Sequence, residues 1–328
     1  MKVLNLVFFI IASIVGAGFA SGKEIATYFS RYGFLAIPSA IATGIIFYVL
    51  IKQCLFIGRN KKNFTLSKPF KILLCLALFF LGGSSFSANE VLGNYLGIPH
   101  FMTINLVVIF AVLLAGVKGV KKLNFVVSPL LIISIILVVV LGNNQIGSKV
   151  CFQVLNTPVK SFVGIIGYIS FNFILMAMFL IDAGRDCSEK EIKLASAISS
   201  IIITALILLI SFVVMYSKNN ILSSDMPMLT FAFNQSKTMG IVMVIVIWLG
   251  LFTTLTSCFY SITKLMGEVV KNRLVNIVAC ILIVYFVSRL GFDFIVKEIY
   301  FFTGIVGVSF AINLLKASKQ KLTKNEQI

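Results

Sequence analysis

The sequence contains little charge, and most of that charge is positive. Only 12% of its 328 residues are charged, and 11 acidic residues stand against 28 basic ones. Hydrophobic residues make up 59% of the chain, and the mean hydropathy is +1.05. Soluble globular domains carry roughly 25% charged residues, about twice this share. The composition therefore excludes a soluble domain and indicates an integral membrane protein with many spans.

Residues that serve metal sites and nucleophilic catalysis are also scarce. There is one histidine, His100, and the six cysteines are scattered without a CxxC pair, so the sequence gives no support for a zinc site or a disulfide framework. A Ser-His or Cys-His pair would have to use His100, which we place at the outer membrane edge. No HExxH or GxSxG motif is present. We predict that the protein is not an enzyme and needs no cofactor.

Long polar linkers and low-complexity tracts are absent too, so the chain is expected to form one transmembrane domain. A membrane crossing needs about 20 apolar residues. Repeated apolar runs predict an all-α protein with ten transmembrane helices in two halves of five, the first at about 1–141, the second at about 159–316, followed by a short cytoplasmic tail at 317–328. The ten predicted spans are 3–29, 33–57, 70–94, 99–117, 121–141, 159–182, 191–216, 238–268, 272–289 and 293–315.

The distribution of basic residues predicts how the chain crosses the membrane. With ten spans and a cytoplasmic N-terminus, 20 Lys and Arg residues fall on the cytoplasmic side and 8 on the other. Cytoplasmic loops carry such an excess. We therefore predict a multi-pass protein of the cell membrane with both termini inside. The net charge of +17 is explained by this topology, so the lipid bilayer is an expected partner and nucleic acid is not.

A cluster of glycines interrupts the first apolar segment. Gly16, Gly18 and Gly22 lie within seven residues, and each glycine costs about 1 kcal/mol of helix propensity. The spacing fits neither a Walker A loop nor a dinucleotide-binding loop. Non-helical backbone at membrane depth survives where it is buried in protein or lines a cavity. The pattern predicts a broken helix at a binding site, and close helix packing through glycine is the alternative.

The sixth segment shows a second candidate interruption. Gly164 and Gly167 precede Tyr168, Ser170 and Asn172 at mid-depth. Asn172 alone could serve to join two helices by a hydrogen bond. The first and sixth segments, however, hold corresponding positions in the two halves, and paired interruptions of this kind indicate the binding site of a transporter. We therefore predict broken helices 1 and 6.

Hydroxyl groups cluster on the eighth segment. Thr253, Thr256 and Ser257 lie at helical spacing on one face. Hydroxyls, together with carbonyls freed by an unwound segment, are suitable ligands for Na⁺. The alternative is that these hydroxyls bond the carbonyls of their own helix, as Ser and Thr often do in membranes.

Three acidic residues are candidates for coupling or gating: Glu24 after the first break, Glu90 on a polar stripe of the third segment, and Asp182 at the inner end of the sixth. A carboxylate inside the membrane is a functional hypothesis by default. For Glu24 and Asp182 we favour a solvated charge at the end of a helix. For Glu90, the sequence does not separate an intramembrane carboxylate from an interfacial one.

The motif GAGFASGKEI and the ten-span hydropathy resemble the YkvI-type bacterial membrane proteins of the amino acid–polyamine–organocation superfamily. The resemblance implies the five-plus-five inverted-repeat fold of the sodium symporters. It implies that substrate binds at Gly16, Ala17, Gly18 and Phe19 of the first unwound helix and at Tyr168, Ser170, Phe171 and Asn172 of the second. It also implies a sodium site made by the carbonyls of Ala12, Val15 and Thr253 with the hydroxyls of Thr256 and Ser257. Phe19 stands where members with a second sodium carry Asn, so one sodium is expected.

These observations together predict a secondary active transporter. The expected activity is Na⁺-coupled symport of an amino acid or similar small carboxylate-bearing solute by alternating access. In this reading the backbone amides from Gly18 to Ser21 hold the carboxylate. The alternatives are a proton-coupled carrier that uses Glu90 or Glu24, a substrate-binding sensor that does not transport, and a structural membrane protein. The oligomeric state does not follow from the sequence.

Overall fold

The computed structural model of the protein describes residues 2–60, 67–98, 125–150, 152–155, 157–267 and 269–325. The predicted fourth span, 99–117, and the first residues of the fifth lie outside these ranges. Helices account for nearly all regular structure in the described part. An isolated antiparallel β-bridge joins Ile146 to Ser217.

The first apolar segment comprises three short helices, and most later segments are single long ones. The first three are α1 (Lys2–Ile14), α2 (Ala17–Ala20) and α3 (Lys23–Tyr28). A 3₁₀ turn at Ser30–Leu35 follows α3. The remaining helices are α4 (Ala36–Asn60), α5 (Lys68–Leu96), α6 (Phe125–Leu141), α7 (Pro158–Ala183), α8 (Glu189–Tyr216), α9 (Pro227–Gln235), α10 (Lys237–Met266), α11 (Arg273–Ser288), α12 (Phe292–Phe294, continued by a π-helical turn at Ile295–Ile299) and α13 (Tyr300–Asn325).

Several helices have the length and the apolar character that a membrane crossing requires. Among the described residues five qualify on both counts: α4 with its preceding turn, α5, α7, α8 and α10. The shorter helices α1, α6 and α11 are apolar as well, as is the first part of α13. Large apolar side chains are exposed along α4 at Ile37, Ile41, Ile45 and Val49. Successive spacings of four place them on one side of the helix, as expected for a surface that faces lipid. The protein is thus a membrane-embedded helical bundle.

Helix α7 occupies the centre of the bundle. Its most apolar stretch is 83% buried, against 44% for the stretch in α4, and it contacts α1, α4, α10 and α13. The helix is continuous from Pro158 to Ala183. The predicted break in the sixth span is therefore wrong.

Local hydrogen bonding and packing explain why α7 stays intact. The Asn172 side-chain amide donates to the carbonyl of Tyr168, one turn earlier, at 3.0 Å. The polar group is thus satisfied without unwinding the helix. Gly167 lies against Gly304 of α13, which brings the two helices close together. Close packing offsets the low helix propensity of glycine, as it commonly does in membrane helices.

The bundle has two ends. The end that holds the start of α1, the end of α7 and the start of α8 is the N-terminal face, and the opposite end is the α9 face. At the N-terminal face, Gly58 of α4 lies against the backbone of Ile181, and Gly184 lies against the backbone of Leu55. The chain then enters α8 through a capping box between Ser188 and Glu191. This junction brings two backbones into direct contact.

Candidate functional site

The chain leaves helical geometry between α1 and α3. In a continued helix the amide of Gly16 would bond the carbonyl of Ala12, but here it donates to Ile14 at 2.9 Å. Helical bonding resumes with the amide of Ala20 donating to Gly16 at 2.8 Å. Gly22 then adopts a left-handed conformation with φ of 77°, which glycine accepts without steric cost. The first span is therefore interrupted twice, on either side of α2.

The carboxylate of Glu24 lies inside this interrupted region. Glu24 is 7% exposed, and a Cβ placed on Gly18 would overlap its side chain, so the carboxylate lies against the backbone of α2. Our interpretation of Glu24 as a solvated charge is wrong, because the turn at Gly22 directs the side chain back into the bundle. In the part of the chain that the structure describes, its carboxylate forms no hydrogen bond or ion pair.

Four aromatic side chains from three helices contact one another near this position. Tyr28 of α3 lies 5.9 Å from both Tyr168 and Phe171 of α7, centroid to centroid. Phe171 in turn lies 4.5 Å from Tyr300 of α13. Glu24 is close enough to the three tyrosines to interact with them electrostatically. We call Tyr28, Tyr168, Phe171 and Tyr300 the aromatic cluster.

The tyrosine hydroxyls of the aromatic cluster differ in their bonding. The hydroxyl of Tyr300 shares a hydrogen bond with Ser84 of α5 at 2.7 Å. The hydroxyl of Tyr168 is buried and has no hydrogen-bond partner. An unsatisfied buried hydroxyl is costly, so this group is a candidate for contact with a bound molecule. The sequence indicated Tyr168 and Phe171 but missed Tyr28, Tyr300 and Ser84, because their proximity arises only from the packing of separate helices.

Helix α10 approaches the break from another side. Thr254 lies directly against Gly16, where a Cβ would overlap its hydroxyl. The hydroxyl of Thr253 donates to Gly250 at 2.9 Å, and that of Thr256 donates to Phe252 at 2.8 Å. These are bonds to their own helix, as the alternative interpretation expected. Their oxygens retain lone pairs that could still hold a cation.

Ser257 differs from its neighbours on α10. Its hydroxyl is fully buried and has no hydrogen-bond partner. Thr254 and Ser257 are three residues apart, so they share a helix face. Thr254 was absent from the predicted ligand set, although it is the residue that contacts the break.

Most of the other predicted site residues are buried, but they do not all face the break. Ala12, Val15 and Phe19 are fully buried, and Ala17 lies within α2. The backbone of Ser170 lies against Gly307 of α13, so Ser170 serves helix packing at this contact. The exposed position of Glu90 near the end of α5 places it outside the buried region.

Contacts from α9 and the residues before it close the site toward the α9 face. The ammonium of Lys23 lies 3.4 Å from the carboxylate of Asp225 and donates to the carbonyl of Ser224 at 3.2 Å. The amide of Met228 donates to the carbonyl of Ser21 at 2.9 Å. The second half of the broken span is thereby attached to α9.

A separate set of contacts closes the site toward the N-terminal face. Asp182 of α7 pairs with Lys264 of α10, accepts from the hydroxyl of Tyr260 at 2.8 Å and pairs with Arg185 at 3.1 Å. Within this layer the ring of Phe9 stacks on Phe179 at 3.9 Å. Our favoured interpretation of Asp182 as a solvated charge is wrong, because its side chain is only 14% exposed and lies at the centre of this network. Its role in gating stays a prediction.

A cavity of about 450 Å³ lies at the N-terminal face, beyond the Phe9–Phe179 pair. Its polar lining includes Lys2, Asn5, Asp186 and Glu191. Phe9 forms part of its wall and part of the closing layer. The cavity therefore ends where the aromatic pair begins.

Comparison with known proteins supports the resemblance noted in the sequence. The chain is 26% identical over 331 residues to the uncharacterized membrane protein YkvI of Bacillus subtilis (strain 168), which covers 95% of this chain and 94% of YkvI. The resemblance to YkvI-type membrane proteins is thus confirmed along nearly the whole chain. No family model matches the sequence.

Solved structures give a second comparison, at the level of the fold. A manganese transporter from Eremococcus coleocola has a TM-score of 0.58 at 13% identity, covering 96% of this chain and 78% of that one. Mhp1, a nucleobase-cation-symport-1 family transporter with bromovinylhydantoin bound, has a TM-score of 0.51 at 12% identity, covering 97% and 92%. The helical fold is therefore one that membrane transporters use.

Proposed function

We propose that the protein is a secondary transporter that moves a small solute, such as an amino acid, by alternating access. One observation carries this proposal: the interrupted first span is closed by independent contacts on its two sides. Lys23 and Ser21 attach one half to the α9 region, and the stack of Phe9 on Phe179 holds the other half. A carrier needs two such closures, because it must open toward one face while the other stays shut.

In this proposal the binding site lies at the break, between α2, α3, α7 and α10. Residues 1–141 and 159–316 form two five-span repeats, and their relative tilting opens one closure or the other. The N-terminal face is cytoplasmic, in agreement with the excess of basic residues there. The cavity beside Phe9 is then the cytoplasmic entrance.

We further propose that Na⁺ binds between the break and α10. The supporting observations are the carbonyl of Ala12, which has lost its helical donor at Gly16, and the unpartnered hydroxyl of Ser257. Thr254 joins this set through its contact with Gly16. Sodium bound here would favour one arrangement of α1 relative to α10, and so couple ion binding to solute binding.

Uptake into proteoliposomes tests the proposal. The purified full-length protein is reconstituted, and uptake of radiolabelled amino acids is measured with an inward sodium gradient and with the gradient replaced by potassium. We expect uptake above protein-free liposomes that falls when the sodium gradient is removed. Tight binding of an amino acid without flux in either gradient would identify a sensor and contradict the transporter.

A proton-coupled carrier is the second candidate, and the burial of Glu24 favours it. The carboxylate of Glu24 is enclosed and unpaired, whereas Glu90 is exposed, so Glu24 is the stronger proton site of the two. Uptake that ignores sodium, follows a pH gradient and is lost in Glu24→Gln would establish this mechanism. Uptake that follows sodium at constant pH would exclude it.

A further inference from the structure

We propose that Glu24 and the aromatic cluster bind the positively charged amino group of the transported solute. This inference rests on the proposed transport function and names the chemical group that the site recognises. The transported solute is accordingly an amine or an amino acid. Its ammonium group, rather than its carboxylate, lies against α2.

The isolation of the Glu24 carboxylate is the first argument. A buried carboxylate is stable only when a cation or hydrogen-bond donors compensate for its lost hydration. The adjacent Lys23 does not provide this cation, because its ammonium bonds Ser224 and Asp225, just before α9. Arg185 and Lys264 are paired with Asp182 at the N-terminal face. A cation supplied from outside the chain would complete the site.

The position of this carboxylate is the second argument. It lies against Gly18, the part of the break where the backbone amides of α2 were expected to hold a carboxylate of the solute. A second carboxylate at that point would be repelled by the first, and the repulsion is strong away from water. The break is therefore suited to a positive group.

The aromatic cluster is the third argument, and it distinguishes an ammonium from other cations. Tyrosine and phenylalanine rings attract ammonium groups through their electron-rich faces. An ammonium also has several N–H donors, so one group can bond both Glu24 and the unpartnered hydroxyl of Tyr168. A proton on Glu24 would neutralise the charge but would supply no cation for the ring faces. Divalent metal ions prefer several carboxylate, imidazole or thiolate ligands, and the described residues contain no group of three His, Cys, Asp or Glu side chains that could hold one.

A matched set of three probes tests the proposal with the full-length protein in detergent. Alanine carries both charged groups. Isopropylamine is alanine with a methyl group in place of the carboxylate, and isobutyrate is alanine with a methyl group in place of the ammonium. The melting temperature is measured with each probe in sodium chloride. We expect alanine and isopropylamine to raise it, by about 2–4 °C at ten times their Kd, and isobutyrate to leave it unchanged.

Two variants identify the carboxylate responsible. Glu24→Gln keeps the size of the side chain and removes its charge, and we expect it to abolish the shift from isopropylamine. Glu90→Gln makes the same change at an exposed position, and we expect the shift to remain. The proposal is overturned if isobutyrate stabilises the protein, if neither amine does, or if isopropylamine stabilises Glu24→Gln as well as the native protein.

Transport measurements separate this inference from the proposed function. If isopropylamine binds through Glu24 but no amine or amino acid crosses the proteoliposome membrane, the recognition site stands and the transport function fails. If a solute lacking an amino group is carried equally well by native protein and Glu24→Gln, transport stands and the recognition site fails.

Discussion

Among the hydroxyls of the predicted sodium site, the hydroxyl of Ser257 has no hydrogen-bond partner in the folded protein. The hydroxyl of Thr256, one residue earlier, donates to Phe252 and has lone pairs to spare. A buried hydroxyl with no partner is a cost to the folded protein unless a ligand uses it. These two residues are therefore the most direct test of sodium binding.

Removal of both hydroxyls in Thr256→Ala with Ser257→Ala is expected to abolish stabilisation by sodium. In the native protein, Na⁺ at ten times its Kd should raise the melting temperature by about 2–4 °C over the same concentration of potassium. Thr263→Ala, further along α10, is the matched control, since its hydroxyl bonds Phe259 in the same way. Full sodium stabilisation in the double variant would contradict the site.

Tyr168→Phe separates a functional hydroxyl from a structural one. Because this hydroxyl has no partner in the folded protein, we expect its removal to leave the free energy of unfolding unchanged or to raise it by up to about 1 kcal/mol. Binding of isopropylamine should weaken by about tenfold, the value of one hydrogen bond to a charged group. Thermal unfolding and probe titration of the same sample provide both values.

Tyr32→Phe is the control for this variant. Its hydroxyl donates to the carbonyl of Lys160, outside the aromatic cluster. We expect amine binding to be unaffected there. A loss of stability in Tyr168→Phe with unchanged amine binding would show that the hydroxyl serves the fold.

Single residues also mark the limit of what the sequence predicts. The glycines at 16, 18 and 22 carry a conformational signal of their own, and α1 does end two residues before the first of them. The sequence around Glu24 gives no sign that its side chain is buried, because a charged pair after a glycine turn is typical of an exposed helix end. Its burial depends on a backbone approach at Gly18 that arises only when α2 and α3 fold together.

Among the helices, α7 shows how packing overrides local preference. Two glycines, a serine and an asparagine at mid-depth predicted an interruption, yet the helix is continuous. Asn172 is satisfied within its own turn, and Gly167 accommodates α13. A pattern of small and polar residues has two outcomes, a break or a close helix contact, and neighbours elsewhere in the chain select between them.

The contacts of Asp182 connect α7 to α10 and predict how the N-terminal face opens. Asp182→Asn removes the charge that holds Lys264 and Arg185 together. We expect this face to open more often, so that a cysteine placed at Ser13, one turn beyond Phe9, reacts faster with a maleimide. The reaction is measured in inverted membrane vesicles with the six native cysteines replaced.

Asp186→Asn is the matched control, because Asp186 lines the cavity but does not belong to the Asp182 network. It should leave the labelling rate unchanged. Equal acceleration by both variants would indicate a general effect of charge at this face, and no acceleration by Asp182→Asn would show that the network does not hold the face closed.

At the scale of the whole molecule, charge and hydropathy were sufficient to identify the class of protein. The predicted spans that fall within the described residues coincide with helices, and five of these helices are long and apolar enough to cross a membrane, since apolar length is a property of the sequence itself. The contacts that assemble the site were not predictable in this way. They join residues from helices far apart in the chain, such as Tyr28 with Phe171 and Phe171 with Tyr300.

The distribution of basic residues predicts the orientation of the molecule. We expect both termini to lie in the cytoplasm, because 20 of the 28 basic residues then fall on that side. Epitope tags at each terminus should be digested by protease in inverted vesicles and protected in right-side-out vesicles. Digestion of one tag in each preparation would indicate an odd number of crossings.

The backbone contact between α4 and the end of α7 has a mechanical consequence. At Gly58 and Gly184 the backbones of α4 and the end of α7 are in direct contact, so the two helices cannot slide past each other there. A tilt of α7 against α4 therefore has this point as its fulcrum. Tyr168 lies roughly 24 Å along the helix from Gly184, so a tilt of about 10° displaces it by about 4 Å. The displacement at Asp182 is below 1 Å for the same tilt, since about 3 Å separates it from the fulcrum along the axis. The lever arm is long at the aromatic cluster and short at the acidic end of the helix.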